Sequence, residues 1–197
     1  MADNFLNAGV FLVQTFFGIY FLLVMVRFLM QVSRVDYYNP ICQGIVKVTD
    51  PAVKPFKQIL PSVNGVDFAT LVVAFLVQLI AIAIIMFLYG GYVFAPVYIA
   101  WVLIGMVSII LDIYFFALLI MVIASWISPY SNHPALSLVI QLTEPICAPA
   151  RKMLPPMGGL DFSIILVFVF ITIINNYLVV APIAQRLGVP SGLILGL

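Results

Sequence analysis

The chain has 197 residues, 65% of them hydrophobic and 8% charged, with a formal net charge of +1. A soluble domain carries about 25% charged residues, so this chain has too few to cover a water-facing surface, and lipid must be its main solvent. The near-neutral balance supplies no electrostatic pull toward nucleic acid.

The opening stretch MADNFLNAGVF has no basic residue ahead of its apolar run. A cleaved signal peptide is therefore not expected, and the first hydrophobic segment should remain as a span. About 20 apolar residues cross a bilayer as a helix, and four segments qualify: 5–32, 68–89, 97–127 and 162–180. Helices are expected because a single span must satisfy its own backbone hydrogen bonds in lipid. The first and third exceed the minimum and should tilt or project.

The segments between spans differ in charge. Residues 33–67 carry Arg34, Lys47, Lys54 and Lys57, and residues 128–161 carry Arg151 and Lys152, whereas the turn at 90–96 has no Lys or Arg. The positive-inside rule then puts both long segments in the cytoplasm and both termini and the 90–96 turn on the periplasmic side. Arg186, in the tail 181–197, argues weakly the other way.

The two long segments contain one motif twice. TDPAVKPFKQILPSVNGVDF at 49–68 superposes on TEPICAPARKMLPPMGGLDF at 143–162 without a gap. Thr49, Pro51, Pro55, Leu60, Pro61, Gly65, Asp67 and Phe68 are identical to Thr143, Pro145, Pro149, Leu154, Pro155, Gly159, Asp161 and Phe162. The chain thus reads as an all-α membrane protein of two parallel two-span repeats, 1–89 and 97–180, joined by the 90–96 turn.

Within each motif the apolar residues recur at helical spacing. Ala52, Val53, Phe56, Ile59 and Leu60 oppose Lys54 and Lys57, and Ile146, Cys147, Ala150, Met153 and Leu154 oppose Arg151 and Lys152. This predicts an amphipathic helix in the membrane interface. Pro51 suits a first helical position, while Pro55 and Pro149 inside the stripe predict a broken or kinked helix. The apolar spacing of Pro40 to Val48 and of Pro134 to Leu142 allows a second interfacial helix upstream. Gly65 and Gly159 permit the turn into the next span, and Asp67 and Asp161 fall where an N-cap belongs.

The pattern T-[DE]-P-x-x-x-P-x-[KR]-x-x-[LI]-P-x-x-x-G-x-D-F between spans resembles the YggT family of bacterial membrane proteins, over nearly the whole chain. The resemblance implies an integral inner-membrane protein with no established chemistry. Bacterial members are associated with osmotic-shock tolerance and ion uptake, and relatives in cyanobacteria and plastids with division, nucleoid distribution and cytochrome assembly. That range fits a scaffold or assembly factor better than an enzyme. The halves also differ: Arg27 has Met121 as its counterpart, Asp112 has Gly18, and Asn64-Gly65 answers to Gly158-Gly159.

Among individual residues, Lys54, Lys57, Arg151 and Lys152 form a basic stripe suited to anionic lipid headgroups and a membrane-protein partner. Asp112 lies mid-span, where a charge costs at least about 2.5–3.5 kcal/mol. Gln78 and Thr172 superpose under the repeat at comparable depth and are its natural partners. Asn175 and Asn176 read as interhelical glue. Cys42 and Cys147 read as packing residues, and His133 as a solvated loop residue. There is no Gly-rich phosphate loop, nucleophile elbow or metal-ligand spacing, so no catalytic, cofactor or metal site is expected. The reading is a non-enzymatic membrane scaffold. The alternative is a small ion-transport or osmotic-tolerance protein, built as a homo-oligomer with Asp112 in the pathway; cation flux lost on Asp112→Asn would reveal it.

Overall fold

The computed structural model describes residues 2–60, 62, 65–90, 95–127, 133–154, 163–189 and 193–194. The described elements are helices: α1 (Ala2–Val32), α2 (Pro40–Lys57), α3 (Phe68–Leu88), α4 (Val97–Ile127), α5 (Pro134–Met153), α6 (Ser163–Ile173), a π turn (Ile174–Leu178) and α7 (Val180–Arg186). Four stretches are long and apolar enough to cross a membrane: Asn4–Val32, Phe68–Leu88, Val97–Ile127 and Ser163–Arg186. The last runs past the 180 expected from sequence, because the π turn carries the chain through Asn175 and Asn176 directly into α7.

α1 ends without a glycine. Arg34 adopts a left-handed φ of 53°, and the Val35 amide reaches back to the Met30 carbonyl at 3.0 Å. That bond closes a Schellman cap, and both Val35 and Met30 are buried. The next helix starts on Asn39, whose Oδ1 accepts from the Ile41 amide at 2.9 Å, with Pro40 in the first turn. Its repeat mate His133 does the same for α5, accepting from the Ala135 amide at 3.2 Å ahead of Pro134. His133 is thus an exposed cap rather than a plain loop residue.

The prolines do not break these helices. α2 runs unbroken through Pro51 and Pro55, and α5 through Pro145 and Pro149, so the two interfacial pieces expected upstream and downstream are one helix in each repeat. The reason is position: each pair is spaced by four and lies on the exposed face. The carbonyls that lose their donors there can tilt outward, which bends a helix without ending it. Cys42, Thr49 and Val53 point inward on α2, as Leu142, Cys147 and Ala150 do on α5. Both cysteines are wholly buried in packing positions.

α1 packs along α3 over a long seam, whereas α4 and α6 meet only briefly and α4 leans instead on α5. Contacts of α1 and α3 with α4, and of α2 with α5, join the halves. The tail also belongs to the core. Trp101 Nε1 donates to the Leu187 carbonyl at 3.0 Å, Leu193 and Ile194 are buried, and the Ile194 side chain and Gln78 amide crowd Gly105 so closely that a Cβ there would collide with both.

Candidate functional site

The polar groups of the first repeat gather where α1, α2 and α3 meet. Arg27, near the end of α1, is 2% exposed. Its Nη1 donates to Thr49 Oγ1 at 2.8 Å and to the Val46 carbonyl at 3.3 Å, and its Nη2 pairs with Asp50 Oδ1 at 2.8 Å. Thr49 can accept because its own hydroxyl proton goes to the Ile45 carbonyl at 2.7 Å. A guanidinium out of water needs this many fixed partners to be tolerated.

One turn further, Asp67 caps α3 and anchors a second group. Its Oδ1 accepts from the Ala69 amide at 3.1 Å. Its Oδ2 accepts from Thr70 Oγ1 at 3.0 Å, Gln31 Nε2 at 3.1 Å and Lys57 Nζ at 2.8 Å. Burial alone would raise this carboxyl's pKa. The hydrogen bond and charge of Lys57, with the bonds from Thr70 and Gln31, outweigh burial and hold it below the ordinary carboxylate value. Arg27 and Gln31 of α1, Thr49, Asp50 and Lys57 of α2, and Asp67 and Thr70 of α3 therefore form one latch across three helices.

The second repeat builds no such latch among its described residues. Met121 stands in for Arg27, and Thr143, as deeply buried as Thr49, turns its hydroxyl to the Val139 carbonyl at 2.9 Å and meets Met121 Sδ at 3.8 Å. Without a buried guanidinium to receive it, Glu144 pairs instead with Arg151, at 2.8 and 3.0 Å on the surface. Asp161, expected as the second cap, lies outside the described residues.

The four basic residues of the expected stripe are therefore not equivalent. Lys57 is tied to Asp67 and Arg151 to Glu144, while Lys54 and Lys152 are exposed. Lys47, two turns before Lys54 on the same face of α2, is exposed too; it lies outside the repeated motif, and its spacing of seven from Lys54 is the sequence signal that adds it to the face. Lys47, Asp50, Pro51, Lys54, Pro55 and Gln58 line one open face of about 520 Å³.

Asp112 is half-buried in α4, but its expected partners do not come to it. Gln78 is wholly buried against Gly105, seven residues away and about 10 Å along the helix at ~1.5 Å per residue. Thr172 is exposed and gives its hydroxyl to the Phe168 carbonyl at 2.8 Å. Among the described residues no hydrogen bond joins Asn175 or Asn176 to another helix, so the interhelical role expected of them is not seen.

A seam joins the two repeats. Asn39 Nδ2 donates to the Pro134 carbonyl at 2.7 Å, the Asp36 amide to Gln141 Oε1 at 2.8 Å, and Ser33 Oγ to the Leu142 carbonyl at 3.2 Å. The starts of α2 and α5 are thereby fastened to one another across the repeats.

Sequence comparison reproduces this doubling. The CCB3/YggT family matches residues 6–88 and again 100–182, the same offset that relates Thr49 to Thr143. The chain belongs to the CCB3/YggT family. It is 40% identical over 189 residues to the protein PA0392 of Pseudomonas aeruginosa, covering 95% of each chain. It is 36% identical over 184 residues to YggT of Escherichia coli K12, covering 93% of this chain and 94% of the relative. A Vibrio alginolyticus protein is 34% identical over 172 residues, covering 86% and 92%. No solved structure matches the chain. With four membrane-crossing stretches and this family membership, the chain is an integral membrane protein.

Proposed function

We propose that the protein is a non-enzymatic scaffold or assembly factor of the bacterial inner membrane, serving envelope or osmotic-stress functions. In this reading α2 and α5 are amphipathic helices lying in the cytoplasmic surface of the membrane, and both termini are periplasmic. The observation that carries it is the fastening of the two helices at Asn39–Pro134 and Asp36–Gln141; in this reading their outer faces act together as one platform. Lys47, Lys54 and Lys152 stand exposed on that platform, each able to contribute about 1 kcal/mol toward an anionic surface. The same platform would dock a membrane-protein partner. Ion conduction through Asp112 is the weaker reading, because Gln78 and Thr172 do not extend a polar path from it.

The clean test uses only the exposed cations, since replacing Lys57 or Arg151 also breaks an ion pair. The double variant Lys54→Gln, Lys152→Gln should fold normally, bind anionic vesicles roughly thirtyfold more weakly, and lose partner proteins recovered by in-cell crosslinking. Unchanged vesicle binding and unchanged partners would overturn the proposal.

A further inference from the structure

The second repeat is open on one side. Between α4, α5 and α6 runs a groove of about 660 Å³, within the ~300–1,000 Å³ typical of small-molecule sites. Its walls are Leu111 and Tyr114 of α4, Ile146 and Met153 of α5, and Leu166 and Phe170 of α6, with further apolar neighbours. In the first repeat α1 and α3 pack over a long seam, where the latch of Arg27 and Asp67 also ties α2 in; in the second, Met121 stands in place of Arg27, and α4 and α6 meet only briefly.

We infer that this groove holds one acyl chain of an anionic phospholipid, with the headgroup at Lys152. The inference rests on the reading that α5 lies in the membrane surface. Three observations support this occupant. Lining residues on α6 and the start of the π turn run from Leu166 to Ile174, a rise of about 12 Å at ~1.5 Å per residue. That is close to one leaflet of a hydrocarbon core about 30 Å thick, and too short for a partner's whole span. The groove begins at Ala150 and Met153, and the two residues between them are Arg151 and Lys152. Arg151 is engaged by Glu144, whereas Lys152, next in the chain to the lining residue Met153, is exposed, and in this inference its ammonium meets the phosphate. Asp112 lies on the opposite side of α4 from Ile110, Leu111 and Tyr114, so no carboxylate of that helix opposes an anionic lipid here.

The test is photolabelling of the full chain in vesicles of phosphatidylethanolamine and phosphatidylglycerol, with a trace of phosphatidylglycerol bearing a diazirine in its acyl chain. Label should concentrate on peptides containing Leu111, Ile146 and Phe170, relative to lipid-facing Phe11 and Phe16 of α1. Lys152→Gln should lower groove labelling about fivefold. Val169→Trp, placed at the half-exposed rim of the groove, should block labelling there and leave α1 labelling unchanged. Even labelling over all exposed spans, equal groove labelling by a photoreactive phosphatidylcholine, or indifference to Val169→Trp would overturn the inference. If any of these occurs while Lys54→Gln, Lys152→Gln still loses its crosslinked partners, the groove falls and the platform stands.

Discussion

Replacing Asp50 with Ala lowers stability by about 3 kcal/mol, and adding Arg27→Met returns most of that loss. Asp50 is about half open to solvent, so it is not itself costly to hold or to remove. Arg27 is the opposite: it is 2% exposed, and without Asp50 its charge keeps only the Thr49 hydroxyl and the Val46 carbonyl. The cost of Asp50→Ala is therefore the cost of stranding a cation, at the low end of the range for a broken buried pair because water can enter where Asp50 stood. Methionine is the chosen rescue because the second repeat already uses it: Met121 sits against buried Thr143. Equilibrium unfolding in mixed micelles, run on the two single variants and the double, gives the coupling directly. Equal costs for Asp50→Ala alone and combined with Arg27→Met would mean that Arg27 is not stranded.

Asp67→Ala should cost about 2 kcal/mol at neutral pH, while Asp67→Asn costs less but removes an acid-sensitive part of the stability. The Ala variant orphans the Ala69 amide, the Thr70 hydroxyl and the Gln31 amide at a site that is 4% exposed. Lys57 adds little to that cost, since its side chain is nearly half open and can turn to water. The pH dependence follows from the depressed pKa of Asp67. As pH falls past the ordinary value of about 3.9, the unfolded chain takes up the proton first. The contribution is therefore complete above that value and is lost as pH drops through the lower folded-state pKa. Unfolding midpoints measured between pH 6 and pH 3 should show wild type losing more than Asp67→Asn; parallel curves would contradict the assignment.

Much of this architecture is legible in the sequence because it depends on local physics. Apolar runs of span length, the doubled motif, and Asp67 one residue before an apolar helix all carry their signal within a few residues, and the helices form where expected. What the sequence hid was set by contacts. Pro51 and Pro55 look like helix breakers in isolation; only the exposure of both on one face explains how α2 passes through them. Lys57 and Arg151 look equivalent under the repeat, yet they take different acids because Asp50 is claimed by Arg27 while Glu144 has only Met121 at the corresponding place. The signal was present in the non-repeating pair Arg27 and Met121, but its meaning needed the fold. Asp112, Gln78 and Thr172 share a depth in the sequence; burial of one and outward rotation of another separate them.

The central claim is that α2 and α5 form one platform on a single face of the membrane. Cysteine reporters at Lys54 and Lys152, and at exposed Tyr89 at the far end of α3, test it in a background where buried Cys42 and Cys147 are replaced by Ala. With a membrane-impermeant maleimide on intact spheroplasts, Tyr89→Cys should label at once, and Lys54→Cys and Lys152→Cys only after permeabilisation. Labelling of either lysine position from the same side as Tyr89 would contradict the account.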